Sequence, residues 1–198
     1  MNAQPIQPQR IQHLNRAAVR TGQYVLYWMQ QSQRAEDNHA LEYAISEANR
    51  RGTGVLVVFG LTDGYPEANL RHYTFMLEGL RETRAALARR GIKMVVRHGA
   101  PDAVAAILGQ QASLIVCDRG YLRHQSVWRA RVARSAACRV VQVESDAVVP
   151  VEVVSDKAEY AARTIRPKLH RHLPDYLVPG PKNAVKKPSL ALEIDGLD

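Results

Sequence analysis

The chain has 198 residues, 46% of them apolar and 23% charged, and 27 Lys and Arg against 19 Asp and Glu give it a net charge of +8. That length suits one domain plus an extension with a sizeable core, and a positive balance favours anionic partners such as nucleic acid. Two cysteines exclude a disulfide framework, no run is apolar and long enough to cross a bilayer, and the Gln- and Pro-bearing N-terminus lacks the apolar core of a signal peptide, so a cytoplasmic protein without a membrane partner is expected.

In chain order, residues 1–22 read as a tail, disordered through residue 8 and carrying a short basic helix over 9–18. The main domain is expected over 23–154. Tyr24 to Met29 is a short apolar run of β-formers and predicts a first buried strand. Asp37 or Asn38 can cap a helix to Arg51, with Ala40, Leu41, Ala44, Ile45 and Ala48 on one face and Gly52 beyond its end. Val55 to Phe59 predicts a second strand, and after the loop Thr62 to Pro66 a long helix spans roughly residues 67–90 and stops at Gly91. Lys93 to Arg97 is the third strand. Pro101 and Gly109 bracket a helix, Leu114 to Cys117 is the fourth strand, Leu122 to Ala136 a helix, and Val140 to Val143 the fifth strand. Cys117 and Cys138, in or beside apolar runs, read as small buried hydrophobes.

Strands alternating with helices predict an α/β fold, a doubly wound five-stranded parallel sheet of Rossmann-like type. A helical exit segment follows over 155–178, and the Pro-, Gly- and Lys-bearing stretch 179–198 reads as a linker. In the exit segment Tyr160, Ile165, Leu169, Leu173 and Tyr176 have no strand left to cover them, which predicts an apolar junction surface and self-association.

Ligands of such sheets bind at the carboxyl ends of the strands. The loops there hold no G-x-G-x-x-G fingerprint, no phosphate loop, no zinc spacing and no nucleophile elbow. No catalytic or metal-ligating residue is therefore assigned. Asp37, Asn38 and Glu36 have a sufficient role in capping and complementing the first helix. Arg34 is not explained by capping; at the ligand edge it can pair with a nearby carboxylate or hold a ligand carbonyl. Trp28 and Phe59 end buried strands and read first as core. The arginines Arg119, Arg123, Arg129, Arg131 and Arg134 read first as a solvated helix face and second as a surface that tracks phosphates.

Four blocks carry a family resemblance. Tyr27-Trp28-Met29, then Gln33-Arg34, Asp37-Asn38 and Ala40-Leu41 form the first. Val58 to Asp63 with Arg71 to Leu80 is the second, and Asp118 with Leu122-Arg123 the third. The fourth runs from Ser155 to Leu169, SDKAEYAARTIRPKL. In this order they resemble the N-terminal α/β domain of class II DNA photolyases over roughly residues 22–178. In place of the usual Arg-Asp after the Tyr-Trp-Met-x run the chain has Gln31-Ser32, and in place of a Trp it has His39.

The resemblance implies an α/β domain that in many members holds a light-harvesting antenna, often a deazaflavin. It also implies a C-terminal helical partner domain, absent from this chain, that binds FAD and splits pyrimidine dimers. This chain alone is then expected to be inactive in repair and to bind DNA weakly and non-specifically. An antenna would rest against Met29, Phe59 and Leu61, with Arg34, Asp37, Asn38 and Asp118 as directional polar groups. Two other readings use the same sheet: a stand-alone nucleotide-binding module and a cryptochrome-like photoreceptor domain.

Overall fold

The computed structural model describes residues 5–197. Residues 1–4 of the expected tail lie outside the described part. A six-stranded sheet has the order β1-β6-β5-β2-β3-β4. Its strands are β1 (Ile11–His13), β2 (Tyr24–Trp28), β3 (Gly54–Leu61), β4 (Lys93–His98), β5 (Ala112–Asp118) and β6 (Arg139–Val143). The last five are parallel, as the alternation of strands and helices predicts.

The sixth strand is the difference. Where a basic helix over 9–18 was expected, Ile11, Gln12 and His13 pair antiparallel with Val143, Gln142 and Val141. The cause is tertiary: β6 would otherwise present an open edge, and three residues satisfy its backbone. Arg10 anchors the approach, its buried guanidinium donating to the carbonyls of Glu144, Ala147 and Val148. Ile6, inside the stretch expected to be disordered, packs into the core.

Helix α1 (His39–Arg51) and α2 (Leu70–Arg89) cover one face, and α3 (Pro101–Gly109) and α4 (Arg123–Ser135) the other. Strand residues alternate between these layers. Val25, Tyr27 and Met29 face α1 and α2, whereas Tyr24, Leu26 and Trp28 face α3 and α4. Both cysteines are buried; desolvation pushes the Cys117 thiol up to about 12, so it packs as an inert apolar group. Gly52 closes α1 in a left-handed conformation at φ 66°, where a side chain would be strained. At Gly60 a Cβ would lie 2.6 Å from Pro101 Cα, so only glycine lets β3 approach the start of α3.

Beyond β6 lie α5 (Val151–Val154) and α6 (Ala162–Tyr176). The apolar residues expected to remain uncovered largely pack on one another. Ile165, Leu169, Leu173 and Tyr176 meet Val149, Val153 and Val154 in a small separate core. Of the expected patch Tyr160 stays open, at 86% exposure. Leu177, just past α6, is 69% exposed and Val151 on α5 is 45% exposed, so an apolar surface persists at this end of the chain.

The stretch from 179 onward, read as a linker, returns across the sheet edge. Asn183 N donates to the Glu42 carboxylate at 2.6 Å, beside the Arg90–Glu42 ion pair, also 2.6 Å. Leu192 and Ile194 pack on the second core layer, and Leu197 N bonds to Val96 O on β4. The stretch therefore shields the β4 edge that a parallel sheet leaves open. Ser189 is its buried pin: its Oγ accepts from Lys93 N and donates to Val55 O, while its N donates to Gly91 O. Ser189→Ala strands the half-buried Lys93 N–H and the buried Val55 carbonyl, and the expected loss is about 1–3 kcal/mol in urea unfolding.

Candidate chromophore cleft at the strand ends

The strand order reverses between β2 and β5, and the loop after β2 crosses that point. There Asp118, the last residue of β5, is 1% exposed. One of its oxygens accepts from the backbone N–H groups of Gln30, Gln31 and Ser32 at 2.8, 2.8 and 3.0 Å. The other accepts from the Tyr27 hydroxyl at 2.7 Å. Burial raises the Asp118 carboxyl above its ordinary range, and these four donors pull it back toward ionisation. Tyr27 is driven well up, first by burial and then by the adjacent carboxylate, so it remains a phenol that donates.

Asn38 completes the arrangement. Its Oδ1 caps α1 by accepting from Leu41 N at 3.0 Å, and its Nδ2 donates to Tyr27 Oη, Ser32 O and Arg34 O. Of the two candidate caps, Asn38 is the one used. Asp37 turns the chain ahead of it at φ 47° and is exposed. Arg34 pairs with the Asp146 carboxylate at 2.9 Å and donates to the carbonyls of Asp37 and Ser145. The first of its two expected roles, pairing with a carboxylate, is the one the structure displays. Ser32 Oγ also bonds to Asp146, and Gln31 Oε1 accepts from Gln125 Nε2. Both departures from the family pattern in this loop are thus tied into the protein.

The polar candidates Arg34, Asp37, Asn38 and Asp118 therefore build the loop, and the apolar candidates line a cleft beside it. Met29, Phe59 and Leu61 form part of a 540 Å³ cleft over the ends of β2 and β3. Its other walls come from Tyr65 in the loop, Tyr73 and Met76 on α2, Pro101 at the start of α3, and Gln125 and Trp128 on α4. Tyr65, His124 and Trp128 stack edge to face, with ring centroids 4.9 Å apart in each pair. The lining contains no Lys or Arg, and its one acid, Glu67, is exposed. Gln30 borders the cleft with a side-chain amide that is buried and, among the described residues, has no hydrogen-bond partner.

Sequence reasoning did not find Gln30, Tyr73, Met76 or Trp128 as cleft residues. Tyr73 and Met76 recur at helical spacing and read as ordinary core; Trp128 sits among arginines with no local signal. The arginine group does not act as one surface: Arg119 pairs with Glu144 and Glu152, Arg131 with Asp102, and Arg129 is buried against Gln142 and Gly120.

The site is a doubly wound sheet with a largely apolar, ring-lined cleft beside its switch point. The chain belongs to the DNA photolyase family, whose model matches residues 25–188. It is 47% identical over 189 residues to the deoxyribodipyrimidine photo-lyase of Methanothermobacter thermautotrophicus, covering 95% of this chain and 42% of that protein. It is 37% identical over 163 residues to the enzyme of the same name from Potorous tridactylus, covering 80% of this chain and 31% of that one. The chain thus spans well under half the length of these relatives. An archaeal photolyase from Sulfolobus tokodaii, solved with two FAD molecules, superposes with a TM-score of 0.58 at 17% identity, covering 74% of this chain and 34% of that one, and shows the shared fold.

Two predictions follow from the loop. Asp118→Ala leaves four donors unanswered, three of them buried, and is expected to cost more than about 3 kcal/mol in denaturant unfolding, with Asp118→Asn recovering part of it. His39 bears on pH. Desolvation, then Arg10 and Arg34, lower its imidazole from the ordinary 6.5 to about 4, against a smaller opposing pull from Asp37. The unfolded chain therefore binds a proton that the fold refuses between those values, and stability falls as pH drops from 6.5 toward 4. Replacing His39 by Gln should make urea midpoints measured across that window visibly less pH-dependent than those of the wild type.

Proposed function

We propose that this chain is the antenna-holding N-terminal unit of a class II, light-driven pyrimidine-dimer photolyase. Its helical partner domain would carry the FAD and the repair chemistry. The class rests on the four sequence blocks, above all Ser155 to Leu169, and the partner on the larger size of the relatives. DNA contacts by this unit would be charge-driven and non-specific.

The observation that carries the antenna role is the division of labour at the switch point. Doubly wound domains that bind nucleotides use the free backbone N–H groups of this turn and the helix start to cradle phosphate. Here the N–H groups of residues 30–32 are spent on Asp118, and Leu41 N and Ala40 N on Asn38 and Ser145. An added phosphate would meet an internal carboxylate already seated. The adjoining cleft, 540 Å³ with apolar faces and no cation, suits a flat conjugated ring instead.

A deazaflavin fits these residues. Met29, Phe59 and Leu61 would cover its faces with Met76 and Trp128, and the unpartnered Gln30 amide would supply a polar contact at its edge. When bound, such a group absorbs blue light and passes the energy on. The protein's part is to hold the ring at one angle and keep water off it. Arg34, Asp37, Asn38 and Asp118 contribute by fixing the loop that carries Met29 and Gln30.

Titration with a 5-deazaflavin, followed by fluorescence, should show saturable one-to-one binding. Phe59→Ala should weaken it roughly tenfold or more, the scale of losing one aromatic face. A wild-type protein without saturable binding overturns the antenna role.

A further inference from the structure

Gln30 is a buried residue of the cleft whose side-chain chemistry is not used within the described part of the protein. It is 9% exposed, and among the described residues neither its side-chain oxygen nor its nitrogen has a hydrogen-bond partner. Its main chain is fixed on both sides: Gln30 N donates to Asp118, and Gln30 O accepts from the Gln33 side chain. The neighbouring polar groups are already committed. Gln31 is bonded to Gln125, Gln125 to Leu122 N, and the Tyr73 hydroxyl to Thr62 O. An amide left unpaired in a buried position is unfavourable unless something outside the chain completes it.

Given the cleft reading above, on which this step rests, we infer that Gln30 is the residue that selects the edge of the ring: it reads an adjacent donor and acceptor, the N–H and C=O of a pyrimidinedione. A carboxamide offers one acceptor and one donor side by side. Its oxygen takes the imide N–H and its NH₂ gives to the neighbouring carbonyl, a neutral two-point contact. A ring whose imide nitrogen carries a methyl group cannot make this contact, and it leaves the buried amide oxygen without a partner.

The test uses two probes, 5-deazariboflavin and its N3-methyl derivative, titrated into the wild-type chain, Gln30→Leu and Gln30→Glu with fluorescence as the readout. The wild type should bind deazariboflavin at least tenfold more tightly than the N3-methyl compound. Gln30→Leu should lose that preference, binding both equally weakly. Gln30→Glu, which keeps an acceptor but loses the donor, should bind deazariboflavin more weakly than the wild type. Wild-type indifference to N3 methylation, or an unchanged preference in Gln30→Leu, overturns the assignment of Gln30 and leaves the cleft reading standing. Failure of the folded wild type to bind either ring overturns the cleft reading and the Gln30 assignment together. Far-UV circular dichroism of both variants establishes that they are folded.

Discussion

A single carboxylate at the point where the strand order reverses holds this end of the molecule together. Asp118 closes β5, and three successive N–H groups of the loop after β2 converge on one of its oxygens. Such a turn is a small anion-binding concavity, and here the anion is covalently part of the domain. The same residue takes the Tyr27 hydroxyl, which in turn accepts from Asn38, the cap of α1. Strand, loop and helix start are thus joined through one buried network in which each named polar group has a partner. In a low-dielectric surrounding such a network is stiff because each lost bond strands a polar group.

That constraint decides what chemistry the open end of the sheet retains. With its N–H groups spent internally, the switch point has no cradle for a phosphate, and what remains beside it is surface shaped by Met29, Phe59, Trp128 and the α2 side chains. The chain's excess of basic residues does not compensate, since Arg34, Arg119 and Arg131 are each matched to a carboxylate and Arg129 is buried. Affinity for any ring bound in the cleft would come from burying its surface, and selectivity from the few amides at its margin. The charge of +8 acts at longer range, as a field that favours a polyanion without reading it.

The parallel sheet and its helices were legible because their signals are local: apolar runs of strand length, helical spacing in α1 and α2, Gly52 and Gly91 past helix ends. Strand β1 was not, since Ile11-Gln12-His13 has no strand signal of its own and pairs only because β6 needs a partner. The closing stretch looked like a linker for the same reason; its Pro and Lys content hides Ser189, Leu192 and Ile194, whose roles exist only against the β4 edge. At the site, the family resemblance reached Met29, Phe59 and Leu61, which line the cleft, and Asp118 and Asn38, whose importance lies in the loop's architecture. Gln30 was invisible because a glutamine in a Gln-rich loop carries no pattern; what marks it is an unpaired amide, a property of three-dimensional bookkeeping alone.

The two sides of the cleft are unequal, and the inequality bears on how a chromophore would be held. Met29, Gln30 and Phe59 stand on strand ends whose backbone is locked by the sheet and by Asp118. The opposite side is the start of α2, where Phe75 is 80% exposed and Leu70 82% exposed, beyond a loop tied by few side-chain bonds, among them Tyr73 Oη to Thr62 O. A ring settling on the strand side would take its orientation there, and covering Phe75 would add apolar burial. Orientation and closure would then fall to different elements: the strand ends would set the angle on which energy transfer depends, and the start of α2 would cover the guest.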